Sequence, residues 1–149
     1  MEDKVPLEIF AIYFSPYSAH AIEINGIVYP TMEHAYQSSR YTDEKIKDEI
    51  RQARSPVKAW ETSSKYKHLQ ISEFKDKDYK LEVMGRLMRM KADQHDEIRK
   101  ALLDSGDKKI VKHITTYPPG DGFWDDGDDG NGLNHIGRMW MEIREELKK

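Results

Sequence analysis

The chain has 149 residues, 24 Lys and Arg against 27 Asp and Glu, a formal net charge of −3 and no cysteine. That length suits one domain with a real core, and the missing thiols exclude disulfides, thiolate zinc sites and cysteine nucleophiles. The near-neutral charge argues against a surface that coats nucleic acid but leaves room for a pocket taking one nucleotide.

No apolar run approaches the length of a membrane span, and "MEDKVPLEIF" lacks a signal-peptide pattern, so a cytoplasmic protein without membrane contact is expected. In chain order, "IFAIYF" over 9–14 reads as a buried strand. Residues 21–24 and 27–29 alternate around Asn25-Gly26, a strong hairpin signal. Thr31 then caps a helix running to about Tyr41. "TDEKIKDEIRQAR" gives a second helix with Ile46, Ile50 and Ala53 on one face. Ser55-Pro56, a cap followed by proline at the first helical position, opens a third. Residues 61–75 carry no decisive pattern.

From Asp78 a long helix is predicted on the spacing of Tyr79, Val83, Leu87 and Met90. "DEIRKALLDSG" predicts another, with Asp96 as cap and Gly106 as stop. "KKIVKHI" reads as a short strand and 115–134 as loop. Asn134 caps a last helix whose Ile136, Met139, Trp140, Ile143 and Leu147 form one stripe. The expected fold is α+β: a mostly helical single domain over 1–149, core about 9–147, with a small antiparallel sheet.

The loop "FWDDGDDGNGLN", residues 123–134, holds four aspartates and three glycines beside an aromatic pair. Its spacing matches no EF-hand, Rossmann or P-loop pattern, so no metal and no cofactor are expected. As a plain acidic turn it leaves Phe123 and Trp124 without a purpose. Read as a binding loop its parts act together. Trp124 offers a face for a base, glycines such as Gly127 let backbone N–H groups converge on an anion, and Asn134 starts a helix whose N-terminus favours phosphate. Those parts suit a nucleotide or a phosphorylated riboside.

A second constellation is "TMEHAYQSSRY" at 31–41. Glu33 lies two residues after the cap, one short of the capping-box position, and taken alone reads as an acid stabilising the helix dipole. His34, Tyr36, Gln37 and Arg40 follow within two turns; singly each reads as packing or surface, and Arg40 also as a phosphate contact.

With "TMEHAYQSSRY", "KLEVMGRLMRMKA", "LLDSGDKKIVKH" and "FWDDGDDGNGLNHIGRMWMEIR", the chain resembles the NADAR, or YbiA-like, family from about Phe14 to Leu147. The resemblance implies an N-glycosidase of ribosides carrying phosphate or ADP: ADP-ribosylated guanine, as nucleoside or within nucleic acid, or ribosylamino-pyrimidine phosphates of riboflavin synthesis. A module that only binds ADP-ribose is a further alternative. No obligate protein partner is expected.

The family's functional glutamate falls on Glu33, and its signature Trp, Asp and Asn fall on Trp124, Asp126 and Asn134. On this reading Glu33 stabilises the ribosyl cation, Asp126 contacts ribose or water, and Trp124 stacks. His34, Tyr36, Gln37, Arg40, Asp121, Phe123, Gly127 and Asn134 complete the expected substrate contacts. Arg40 stands where many members have Lys, and an arginine forms no Schiff base. A covalent mechanism therefore points to Lys91, which otherwise reads as a snorkelling surface lysine.

Overall fold

A computed structural model describes residues 7–8, 13–113, 122–127 and 130–149. These fall into two compact units, Pro16–Gln94 and a second made of Met1–Ser15 with His95–Lys149. Among the described residues no helix is long and apolar enough to cross a membrane.

The Pro16–Gln94 unit opens with a hairpin. Strands β2 (Ile22–Ile24) and β3 (Ile27–Tyr29) pair antiparallel with Ile24 opposite Ile27. Asn25 and Gly26 both take positive φ, 52° and 83°, which is what a two-residue turn of this hand requires. Helix α1 (Met32–Ser38) follows, then α2 (Glu44–Arg51), α3 (Pro56–Lys65), two short 3₁₀ turns and the long α4 (Lys77–Gln94).

Each helix start is fixed by local chemistry. Thr31 accepts from the backbone N–H of His34, Asp43 from Lys45 and Ile46, and Ser55 from Lys58 with Pro56 beside it. Tyr41, Ile46, Ile50 and Ala59 pack together beneath these helices. The Tyr41 hydroxyl donates to the Ser63 carbonyl at 2.6 Å.

All seven residues of α1 are buried, although four are Glu, His, Gln and Ser. A helix buried on every side normally reads as apolar. Polar side chains in that position must find partners inside the protein, and much of the site's architecture follows from this.

In the other unit, β1 (Leu7–Glu8) pairs parallel with β4 (Ile110–Val111), and α5 (Asp96–Asp104) packs on α6 (His135–Leu147). Trp140 is fully buried; its indole N–H donates to the Phe14 carbonyl at 2.8 Å, and the two rings lie 5.4 Å apart. Buried Arg144 donates to Ser105 Oγ and to the Lys108 carbonyl, both at 2.8 Å, tying α6 to the turn after α5.

Several sequence expectations are corrected. Of the strand expected over 9–14, Tyr13 and Phe14 lie in a turn and 9–12 fall outside the described residues; a two-residue strand, β1, lies before it at 7–8. The first helix stops at Ser38 because the Ser39 hydroxyl and the following N–H groups bond back onto the last turn. His95, not Asp96, holds the cap position of α5, and Asp96 acts from the first turn. The antiparallel sheet is the predicted hairpin; the parallel β1–β4 pair joins segments a hundred residues apart and has no local signal.

Candidate active site

The predicted residues fall into two groups, one in each unit. In the Pro16–Gln94 unit the group centres on α1. Glu33 is 7% exposed, and Gln37, one turn on, donates from Nε2 to Glu33 Oε1 at 2.9 Å. The Glu33 backbone N–H, one of the helix's unbonded first-turn donors, meets the Pro16 carbonyl at 3.0 Å.

His34 has a different task. Its Nε2–H donates to the Ala53 carbonyl at 3.0 Å, which leaves Nδ1 to accept from the Thr31 hydroxyl at 2.8 Å. Burial holds its pKa below the usual value, in keeping with this neutral tautomer. Both ring nitrogens of this residue, from which a substrate contact was expected, are thus engaged in joining α1 to the segment after α2. Tyr36, 2% exposed, packs edge-on against Phe74, and the Arg40 guanidinium sits 5.1 Å from each of the two ring centres. Burial, above all, pushes the Tyr36 hydroxyl pKa up, while Arg40 pulls it down. Arg40 Nη1 donates to Gln70 at 3.1 Å, and its buried Nε has no hydrogen-bond partner among the described residues.

Lys91 is fully buried in α4. Its Nζ donates to Ser18 Oγ at 2.5 Å, and Ser18 in turn lies 2.8 Å from His20 Nδ1. Burial lowers the Lys91 pKa to about 7, because a low-dielectric interior disfavours the ammonium. The surface alternative for this residue is therefore excluded.

The segment 16–20 was missed from sequence. Pro16 meets α1, Ser18 meets α4, and burial, with the Glu33 charge behind it, pushes the Tyr17 hydroxyl up. The polar run "SPYSAH" just before the hairpin was its one available signal.

In the other unit the acidic loop is organised by its own backbone. Asp125, 2% exposed, accepts through Oδ1 from the N–H groups of Gly122 at 3.0 Å and Gly127 at 2.9 Å. The N–H groups expected to cradle a substrate anion, Gly127 among them, thus converge on the loop's own carboxylate. The first amides of α6 are taken too: His135 N–H meets the Phe123 carbonyl at 3.2 Å and Ile136 N–H the Trp124 carbonyl at 3.1 Å. The helix start expected to hold phosphate is closed by the loop that precedes it.

Asn134 occupies the cap position with φ 53°, yet its side chain makes no cap bond. Its Nδ2 donates to the Ile110 carbonyl and its Oδ1 accepts from the Lys112 N–H, both at 2.9 Å, as a neighbouring strand would. Gly137 makes room for this clamp: a Cβ there would lie 2.1 Å from the Ile110 carbonyl oxygen and 2.5 Å from Asn134 Nδ2.

Asp126 is 6% exposed; its Oδ2 contacts His113 Nδ1, and its Oδ1 is buried without a hydrogen-bond partner among the described residues. Phe123 and Trp124 are half-buried and meet edge to face at 4.7 Å. Asp121 lies outside the described residues. Among the described residues no three His, Asp or Glu side chains gather as metal ligands would.

The sequence matches the NADAR domain over residues 6–148. It is 36% identical over 135 residues to the N-glycosidase YbiA of Escherichia coli K12, covering 90% of this chain and 80% of that protein. It is 32% identical over 129 residues to a riboflavin biosynthesis protein of Vibrio vulnificus, covering 87% of this chain but only 34% of that longer one. The NMR structure of E. coli YbiA superposes with a TM-score of 0.82 at 30% identity, over 99% of this chain and 88% of that one.

Proposed function

The chain belongs to the NADAR family, and on that premise we propose that it is an N-glycosidase that hydrolyses the bond between ribose and guanine in ADP-ribosylated guanine, releasing ADP-ribose. The name of its E. coli relative supports the reaction class. The observation that carries the reading is Glu33: a buried carboxylate in the "MEHAYQ" motif, oriented by the Gln37 amide.

Cleavage of an N-glycosidic bond passes through a ribosyl species with oxocarbenium character. A carboxylate fixed in advance in a water-poor setting stabilises that charge without reorganising during the step. Water then adds to the anomeric carbon, and the departing base takes a proton. Lys91, buried and titrating near neutrality, is a second group able to exchange a proton at working pH. Within the other unit, taken by itself, Asp126 offers a buried acceptor oxygen for a hydroxyl and Trp124 a flat face for a ring. No cofactor or metal is proposed.

The riboflavin biosynthesis protein of V. vulnificus favours a second reading, cleavage of ribosylamino-pyrimidine phosphates. One assay separates the two. Purified protein is incubated with ADP-ribosyl-guanosine, with ADP-ribosylated DNA and with a ribosylamino-pyrimidine phosphate, and products are followed by mass spectrometry. Release of ADP-ribose from the guanine substrates is expected; cleavage of the pyrimidine alone establishes the second reading, and binding without turnover a binding module.

A further inference from the structure

His113 lies just past β4, was not expected in the site from sequence, and touches the Asp126 carboxylate. An ionised carboxylate only accepts hydrogen bonds, so the proton between the two sits on His113 Nδ1. Asp126 is otherwise held by its backbone: its N–H donates to the Lys112 carbonyl at 2.9 Å and its carbonyl accepts from Gly132 at 2.6 Å. Lys112 is gripped in turn by Asn134 Oδ1. The main chain of Asp126 and Lys112 is therefore held in place, and His113 sets the rotation of the carboxylate. With Oδ2 on the imidazole, Oδ1 is buried and has no hydrogen-bond partner among the described residues. A buried acceptor left open is costly unless something fills it, so Oδ1 itself points to a ligand.

We infer that His113 is a positioning residue, holding the Asp126 carboxylate so that Oδ1 receives a hydroxyl of the bound riboside or the attacking water. This rests on the proposed glycosidase reading for the identity of the ligand, but the pairing itself does not.

Asparagine places a side-chain N–H where histidine has Nδ1, whereas leucine places none and glutamine reaches instead toward the position of Nε2. H113N is thus expected to keep kcat/KM within about fivefold of the natural protein. H113L and H113Q are expected to lose about 10- to 100-fold, the scale on which outer partners act through a ligating group, with melting temperatures unchanged. Adding H113L to D126N is expected to cost little beyond D126N alone, since both act through one carboxylate.

Nitrogen-15 spectra of the imidazole supply a readout independent of turnover, with the His113 proton on Nδ1 in the natural protein. A folded H113N as impaired as H113L, or additive losses in the double variant, overturns the inference in favour of proton transfer by the ring itself. If the protein cleaves no riboside, the proposed function falls, and the tautomer decides this inference alone: a proton found on Nε2 rather than Nδ1 overturns it.

Discussion

Gln37 stands one helical turn after Glu33, and its amide nitrogen lies 2.9 Å from Glu33 Oε1. Residues four apart share a helix face, and in a helix buried on every side that face is interior. The pair is therefore a carboxylate whose direction is set before any ligand arrives.

Glu33→Gln removes the charge and keeps the shape. The new amide can present its oxygen to Gln37, so the helix should hold, and the lost dipole contact costs only about 0.3–1 kcal/mol. Turnover on ADP-ribosyl-guanosine is expected to fall by about 10²–10⁴-fold, the usual scale for a general acid–base or charge-stabilising group. Affinity for the uncleaved substrate should survive or rise. Near-normal turnover with an unchanged melting temperature would remove Glu33 from the mechanism.

Trp124 meets Phe123 edge to face at 4.7 Å and is only half-buried. That leaves ring surface for stacking and makes the residue a small part of the core. Trp124→Ala is expected to weaken ADP-ribose binding by about 1–3 kcal/mol, measured by calorimetry, with a melting temperature close to that of the natural protein. A large drop in melting temperature with undiminished affinity would make it a core residue.

The clamp between Asn134 and β4 predicts a purely structural failure. In Gly137→Ala the new methyl meets the Ile110 carbonyl oxygen and the Asn134 amide at distances no real Cβ shows. Backbone and clamp must both shift, and overpacking of this kind costs about 1–3 kcal/mol or more. Asn134→Ala, which leaves the Ile110 carbonyl and Lys112 N–H without their partner, should destabilise similarly. Denaturant midpoints test both; a Gly137→Ala protein as stable as the original would show that the approach is looser than described.

These sites differ in how far the sequence disclosed them. The Asn25-Gly26 turn and the Ser55-Pro56 helix start were legible because their causes are local: backbone hand and a capping hydroxyl. The burial of Lys91 was legible in principle, since it continues the buried series Val83, Leu87, Lys91 at a spacing of four, but its charge argued for the surface. Asn134 was placed correctly at the start of α6 and misread in role, because its partners, Ile110 and Lys112, are more than twenty residues away. Asp125 was seen only as one acid among four, yet it takes the glycine N–H groups expected to serve a substrate. Family motifs carried what periodicity did not, namely a reason to single out the one acid of the buried helix α1.

Buried Lys91 makes the stability of the protein depend on pH. Its folded-state pKa is lowered to about 7 by burial, against about 10.4 for an exposed lysine in the unfolded chain. Between those values the unfolded chain binds more protons, so this group's contribution to stability rises with pH. The penalty is complete below about pH 7, where the lysine is buried as an ammonium, and is relieved as pH climbs towards 10.4. Every tenfold loss of proton affinity on folding is worth about 1.4 kcal/mol, so the full penalty is on the order of a few kcal/mol. Lys91→Met keeps the volume and removes the charge. It should be more stable than the natural protein at pH 6, with the gap closing steadily between pH 7 and 10. If Lys91 takes part in proton exchange, the same variant loses turnover while gaining stability, which packing damage cannot produce. Chemical denaturation of both proteins across pH 6–10, beside turnover at pH 7, is the measurement. A gap that does not change with pH would mean that Lys91 keeps an ordinary pKa in the folded protein and has no special reactivity at neutral pH.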